Sequence, residues 1–111
     1  MRRLTMIQEI KIVGRQVYVT LAGNVFVEDA IEMREQLLSF MDKGHISFLF
    51  DLSQVDYIDC SSLRVLVSIR KQTVQKGGSV MIRGLQGCVK DLFELTRLNK
   101  VFEINDVIKT A

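Results

Sequence analysis

The sequence predicts an α/β fold in which a mixed, mainly parallel β-sheet starts with an N-terminal hairpin and carries packed helices. Apolar and polar residues alternate on both sides of Gly14-Arg15, which is the pattern of an antiparallel hairpin. From Val27 the apolar residues follow a helical period, and strand-like segments then alternate with helix-like ones. Alternation of this kind places the later strands parallel to one another.

The chain is expected to form a single domain over residues 1–111. Its length of 111 residues and its 48% apolar content suit one well-packed core. Proline is absent and glycine totals only 7, so no segment resembles a linker.

Two strands and a helix are predicted first. The strands lie near 7–13 and 16–22, and the helix spans about 27–43, with acidic residues in its first turn and Gly44 after its last. The expected buried stripe of this helix consists of Val27, Ala30, Ile31, Leu37, Leu38 and Met41.

The next segment, "ISFLFDL", is a nearly continuous apolar run, typical of a strand covered on both faces, and its predicted end is Asp51. A second helix is predicted over about 61–76, because Gly77-Gly78 would stop it. Its expected buried stripe consists of Leu63, Leu66, Val67 and Val74.

The rest of the chain repeats the alternation. "SVMIRG" is predicted as a strand, a helix follows at about 86–97, and "VFEI" is a short strand before a weak terminal helix. The expected inner face of the third helix consists of Val89, Leu92, Phe93 and Thr96.

The charge pattern argues against direct nucleic-acid binding. Lys and Arg number 15 against 13 Asp and Glu, and no basic run is longer than Arg2-Arg3. No stretch reaches the roughly 18 continuous apolar residues of a membrane span. A cytoplasmic protein without a membrane partner is therefore expected.

The cysteines do not form a metal-binding pattern. Cys60 and Cys88 are 28 positions apart, and His45 is the only histidine. We therefore expect no metal and no cofactor, and we expect Cys88 to be a small buried apolar residue.

The segment "YIDCSSLRVL", residues 57–66, places small polar side chains where a helix begins. It could be an active site, a helix cap or a modification site. A nucleophile needs a base, yet His45 lies 16 residues before Ser61 and no G-x-S-x-G elbow surrounds the serines. These residues therefore disfavour an enzyme.

Asp59 is predicted to cap the second helix, which stabilises a helix by about 1 kcal/mol. One cap needs one side chain, so the hydroxyls of Ser61 and Ser62 are left for another role. A helix N-terminus tolerates a phosphate, and phosphorylation there would change the surface charge by about −1.5 to −2. Spacing permits either serine as the acceptor.

The chain resembles the STAS domain, and in particular the single-domain anti-sigma factor antagonists. The resemblance depends on a strand ending in Asp-Leu, on Asp59-Cys60-Ser61-Ser62-Leu63, on Gly-Gly before a strand, and on "VKDLFELTRLNKVFEI". It covers nearly the whole chain and implies a STAS-like sheet.

The resemblance implies a bacterial partner-switching protein that regulates transcription. Without phosphate, such a protein binds an anti-sigma factor serine kinase, which releases a sigma factor. Phosphorylation by that kinase ends the binding, and a PP2C-type phosphatase restores it. Ser61 matches the phosphoacceptor, Asp59 matches the carboxylate of the motif, and Cys60 replaces its first serine.

Three departures from the family pattern affect four positions. Ser62 and Arg97 stand where glycine is usual, and Asn24 and Phe26 replace acidic residues of a loop that faces the kinase in the family. We expect the partner to dock over the start of the second helix and over this loop, spanning 24–29. Fold is unaffected by these departures, whereas partner identity depends on them.

The expected partner-binding residues are Asn24, Glu28, Cys60 and Arg64, with Asp59 and Ser62 supporting the motif. The alternative reading is a STAS subunit of another complex, such as a stressosome scaffold or a component of transport or lipid trafficking. A hydrolase that uses Cys60 or Ser61 is a more distant third.

Overall fold

A computed structural model describes residues 6–104 of the chain, and these residues form a five-stranded sheet in the order β1-β2-β3-β4-β5. The strands are β1 (Met6–Val13), β2 (Gln16–Val25), β3 (Ser47–Ile58), β4 (Ser79–Arg83) and β5 (Glu103–Ile104). The helices are α1 (Val27–Asp42), α2 (Cys60–Gln75), α3 (Gly87–Leu95) and a 3₁₀ turn at Leu98–Lys100. The weak terminal helix predicted after β5 lies outside the described residues.

The mixed sheet and its N-terminal hairpin confirm the predicted fold class. β1 runs antiparallel to β2, and every later neighbour pair is parallel. Gly14 has a φ of +64°, the positive value that two-residue hairpin turns need at their first central position. In the sheet, the strands lie side by side in the same order as in the chain.

The hydrophobic core lies between the sheet and its helices. Right-handed crossovers between parallel strands that follow each other in order place all the helices on one face. α1 packs against α2, α2 against β3 and β4, and α3 against β3. The fully buried side chains at the centre include Val19, Leu21, Met33, Leu37, Phe48, Phe50, Leu66, Ile69, Ile82 and Phe93.

The predicted buried stripes of α1 and α2 are wrong at one position each. Ile31 and Val74 are 44% and 45% exposed, whereas Met33, Ile69 and Thr73 are fully buried. Packing of α1 against α2 sets how far each helix is rotated about its axis. The polar Thr73 is accommodated because its Oγ1 donates to the carbonyl of Ile69 over 2.7 Å.

Strand β3 continues past its predicted end at Asp51. Its second half pairs with the second half of β2, from Ala22 opposite Gln54 to Val25 opposite Ile58, after irregularities in the register. The pairing with β2 provides backbone hydrogen bonds for the second half of β3. The apolar pattern of the sequence does not predict this extension of the strand.

The predicted stop of α2 is confirmed. The N–H of Gly77 donates to the Val74 carbonyl and the N–H of Gly78 to the Thr73 carbonyl, both over 2.9 Å. This is a Schellman arrangement, with Gly77 at a φ of +87°. A Cβ on Gly78 would overlap the backbone of Ile46, so the turn also needs glycine for space.

The third helix is shorter than predicted. It ends at Leu95, and Arg97 follows in a left-handed conformation. Thr96, expected on the inner face, is exposed, while Leu92 is only partly buried. The segment predicted as the strand "VFEI" contributes only Glu103–Ile104 to the sheet.

Candidate functional site

The junction between β3 and α2 is capped by Asp59. This residue is extended, and its Oδ1 accepts a hydrogen bond from the backbone N–H of Ser62 over 2.7 Å. The bond satisfies one of the N–H groups that have no partner within the helix. Asp59 is thus the N-cap residue of α2.

The same junction is attached to the end of β2. The hydroxyl of Ser62 donates to the carbonyl oxygen of Val25 over 3.3 Å, and the N–H of Asp59 reaches that oxygen over 3.4 Å. Ser62 is completely buried. The start of α2 is therefore held against the sheet by a side chain at the position where the family motif has glycine.

Ser61 differs from Ser62 in accessibility. Cys60 and Ser61 occupy the first two positions of α2, and both are exposed. An enzyme can reach the Ser61 hydroxyl without disturbing the fold. It could reach Ser62 only after the helix start had left β2, because that hydroxyl lies in the interior.

The β2–α1 loop predicted beside this site is absent from the described part of the chain. Asn24 lies within β2 opposite Tyr57, Phe26 alone connects the strand to α1, and Glu28 is exposed in the first turn of that helix. The Phe26 and Tyr57 rings lie 5.8 Å apart between centroids. Asn24 belongs to a strand and not to a loop because β2 pairs with β3 as far as Val25.

The structure still brings the two predicted partner-binding segments together. Asn24 precedes Val25, whose carbonyl contacts both Asp59 and Ser62. The end of β2 and the start of α2 therefore lie at the same edge of the sheet, where the carboxyl ends of the parallel strands meet.

A groove runs between α2 and the segment after α3, and Cys60, the residue before Ser61, is part of its lining. Its volume is about 370 Å³, and Arg64 lies in its wall. Its lining residues are Cys60, Leu63, Arg64, Val67, Thr96 and Leu98. Sequence reasoning named Cys60 and Arg64 as partner-binding residues but missed the groove, because its far wall depends on how the chain turns after α3.

That turn depends on Arg97. Arg97 has a φ of +64° and is the only non-glycine residue with a positive φ within residues 6–104. Its N–H donates to the carbonyl of Glu94 over 3.1 Å. The resemblance indicated glycine here, and the conformation gives the physical reason for that preference.

Cys88 was expected to be buried, and this prediction is wrong. Its thiol is exposed and donates to the carbonyl of Asp56 over 3.2 Å. The inward positions of α3 belong to Val89 and Phe93 instead. Cys60 is also exposed, and both cysteines are free thiols.

A polar pair on the sheet connects β3 to β4. Asp51 accepts from the Ser53 backbone N–H over 3.0 Å and from the Arg83 Nε over 3.3 Å. Partial burial raises the pKa of Asp51, but the hydrogen bonds from Ser53 and the charge of Arg83 outweigh it, so the net pKa is below its ordinary value.

Within residues 6–104, no cluster of three or more His, Cys, Asp or Glu side chains is arranged to hold a metal. No helix in that range is both long and apolar enough to cross a membrane.

These residues form an α/β domain with an N-terminal hairpin and a capped junction between β3 and α2. One exposed serine, Ser61, lies at the start of α2. The chain belongs to the STAS domain family, whose model matches residues 8–111. The resemblance inferred from the sequence is thereby confirmed.

Named relatives and solved structures agree with this assignment. The anti-sigma-B factor antagonist of Listeria monocytogenes is 31% identical over 86 residues, which are 78% of this chain and 75% of the relative. The crystal structure of the Thermotoga maritima protein TM1081 has a TM-score of 0.83 at 27% identity, covering 91% of this chain and 87% of that one. The Bacillus cell fate determinant SpoIIAA in its phosphorylated form shares the fold, with a TM-score of 0.73 at 12% identity and coverage of 88% and 90%.

Proposed function

We propose that this protein is an anti-sigma factor antagonist that binds an anti-sigma factor serine kinase until Ser61 is phosphorylated. The name of the Listeria monocytogenes relative supports this role. The observation that carries the proposal is the contrast between the exposed Ser61 and the completely buried Ser62.

In this proposal the chain is a substrate and a binding protein, with no catalysis of its own. The Ser61 Oγ attacks the γ-phosphorus of ATP in the kinase, ADP leaves, and a base of the kinase takes the hydroxyl proton. A PP2C-type phosphatase hydrolyses the phosphoserine and returns the protein to its binding state. Regulation of transcription follows because the bound kinase releases its sigma factor.

The phosphate would leave the fold intact. Ser61 lies in the first turn of α2, where negative charge is favoured by roughly 0.3 to 1 kcal/mol. The buried anchor of the helix start, Ser62 on Val25, is made by a different side chain. The switch therefore does not require α2 to melt.

The binding surface would comprise the groove beside α2 and the end of β2. In this surface the apolar groove residues supply contact area, Arg64 supplies a charge in the groove wall, and Glu28 supplies one in the first turn of α1. A phosphate on Ser61 would be desolvated in such an interface, and an unpaired buried charge costs several kcal/mol. At about 1.4 kcal/mol per tenfold, affinity for the kinase falls by orders of magnitude.

Phosphorylation by an anti-sigma factor serine kinase from the same genome tests the proposal. The parent, Ser61→Ala and Ser62→Ala are incubated with the kinase and ATP and analysed by mass spectrometry. We expect one phosphate on Ser61 in the parent and in Ser62→Ala, and none in Ser61→Ala. Phosphate on Ser62 would show that the acceptor is assigned wrongly.

Binding measured by calorimetry tests the mechanism of release. Ser61→Ala should bind the kinase like the parent, whereas Ser61→Asp should fold normally and fail to bind. Parental affinity in Ser61→Asp would exclude charge at this position as the cause of release.

The alternative is a STAS subunit of another complex, such as a stressosome scaffold or a component of transport or lipid trafficking. It is favoured by Asn24 and Phe26, which are neutral where the family pattern has acidic residues beside the kinase. A folded parent that neither binds anti-sigma factor kinases nor receives phosphate from them would select this alternative.

A further inference from the structure

Within residues 6–104, one edge of the sheet is long and regular, with neither a bulge nor a proline. β1 lies at the end of the strand order, and its eight residues pair with β2 in a continuous register. At the opposite edge, β5 comprises two residues within the described range. Edge strands are normally shortened, bulged or interrupted by proline, because an open row of backbone groups invites pairing with another chain.

The hairpin geometry determines which backbone groups of β1 point outward. In a two-residue hairpin the closing pair, here Val13 and Gln16, is the hydrogen-bonded one, and bonded and non-bonded pairs then alternate. The N–H and C=O groups of Gln8, Ile10 and Ile12 therefore point away from β2. The side chain of Ile12 is 46% exposed and that of Val13 is 60% exposed.

The charges of β1 are complementary to those of a second copy of the same strand. In an antiparallel pair centred on Ile10, the exposed Glu9 of each copy lies opposite the exposed Lys11 of the other. Ile10 then faces its own equivalent, and Gln8 faces Ile12. All three of these residues have outward backbone groups, so the hydrogen-bond pattern and the charge pattern require the same register.

Other registers are disfavoured by the same charges. The outward groups recur at every second residue, so the next possible centres are Glu9 and Lys11. A pair centred on Glu9 places two carboxylates opposite each other, and one centred on Lys11 places two ammonium groups opposite each other. Each of these registers loses the attraction and adds a repulsion.

We propose that a second copy of this chain docks on the β1 edge, antiparallel and centred on Ile10, to form a twofold dimer with a continuous sheet. The contact uses the same surface on both copies and therefore closes after two chains. It lies apart from the groove beside α2, which is lined by α2 and the segment after α3, and from the end of β2 beyond Gly23, the last residue that pairs with β1. The proposal is thus independent of the phosphorylation switch.

A single pair of strands buries little surface, so a weak and concentration-dependent dimer is expected, with a Kd between about 10 µM and 1 mM. Sedimentation velocity of the full chain over that concentration range should show a shift from monomer to dimer. A parent that stays monomeric throughout would overturn the proposal.

Charge swapping tests the register. Lys11→Glu and Glu9→Lys each place like charges opposite one another twice in the dimer, and each should weaken dimerisation about tenfold or more. The double variant Glu9→Lys with Lys11→Glu reverses both signs and should restore the parental Kd. Lys71→Glu, an exposed charge reversal on α2, is the matched control and should dimerise like the parent.

Circular dichroism checks that each variant is folded. If Lys11→Glu does not fold, Lys11→Ala probes the same pair without adding a repulsion and should give a smaller weakening. If the single charge reversals left the dimerisation Kd unchanged, or if the double variant did not restore the parental Kd, the two copies would have to meet at another surface.

Discussion

Ser62 and Val25 are joined by a hydrogen bond in which the buried Ser62 hydroxyl donates to the Val25 carbonyl oxygen over 3.3 Å. The bond connects the first turn of α2 to the end of β2. It places the neighbouring Ser61 at the surface, since the two serines are consecutive on a helix whose inner side faces the sheet. A residue that departs from the family pattern thus positions the proposed phosphoacceptor.

Ser62→Ala should lower the free energy of unfolding by about 0.5 to 1.5 kcal/mol, the usual net contribution of one hydrogen bond. The loss stays modest because the Val25 carbonyl keeps the N–H of Asp59 at 3.4 Å. Ser62→Gly, which restores the family residue, should cost up to about 1 kcal/mol more through backbone entropy. Urea unfolding measures both, with the exposed Ser61→Ala as control, and a greater loss in Ser61→Ala would contradict the assignment of the anchor.

Asp59→Ala should destabilise the protein by about 0.5 to 2 kcal/mol, because the N–H of Ser62 loses its acceptor. Asp59→Asn keeps an oxygen at the same place and should lose much less. The comparison is made by thermal and urea unfolding. Equal losses in the two variants would mean that the charge, and not the hydrogen bond, is what stabilises the helix start.

Arg97→Gly should stabilise the protein by roughly 0.5 to 1 kcal/mol. A left-handed conformation costs a residue with a side chain about 1 to 2 kcal/mol, and the substitution removes this cost. The greater conformational entropy of glycine in the unfolded chain offsets about 0.4 to 1 kcal/mol of the resulting stabilisation. Lys90→Gly is the matched control in α3, where glycine should destabilise by about 1 kcal/mol. Changes of the same sign in both variants would refute the argument from conformation.

Asp51→Asn should flatten the acid side of the stability curve. The pKa of Asp51 is lower in the folded protein than in the unfolded chain, so its contribution is fully present above the unfolded pKa of about 3.9. That contribution is lost as the pH falls through the folded pKa. Urea unfolding between about pH 6 and pH 2 should therefore show a steeper loss in the parent than in Asp51→Asn. Parallel curves would show that Asp51 does not hold its proton differently in the two states.

Arg64→Glu should weaken kinase binding by about tenfold or more if the partner covers the groove. Glu28→Lys should weaken it too, with a small loss of stability of about 0.3 to 1 kcal/mol, because it reverses a charge at the start of α1. Lys90→Glu, at an exposed position of α3, is the control for a charge reversal on another face. If calorimetry showed that only Lys90→Glu lost binding, the partner would have to dock on the face of α3 that carries Lys90.

Local patterns in the chain were sufficient to predict the order of the elements, the hairpin at Gly14, the cap at Asp59 and the stop at Gly77. Each of these depends on residues within a few positions of one another, so the physical cause lies inside the segment that carries the pattern. The resemblance also named Ser61 as the acceptor, yet the residues themselves left Ser62 open.

Contacts between distant segments decided the rest. The bond that buries Ser62 joins residues 37 positions apart, and the second half of β3 exists because it pairs with β2. The rotation of α2, which exposes Val74 and buries Ile69, comes from packing against α1 and the sheet. An apolar period in the sequence locates a helix and its buried face to within about one residue. Which side chain at the edge of that face becomes buried is determined only by the neighbouring elements that pack against it.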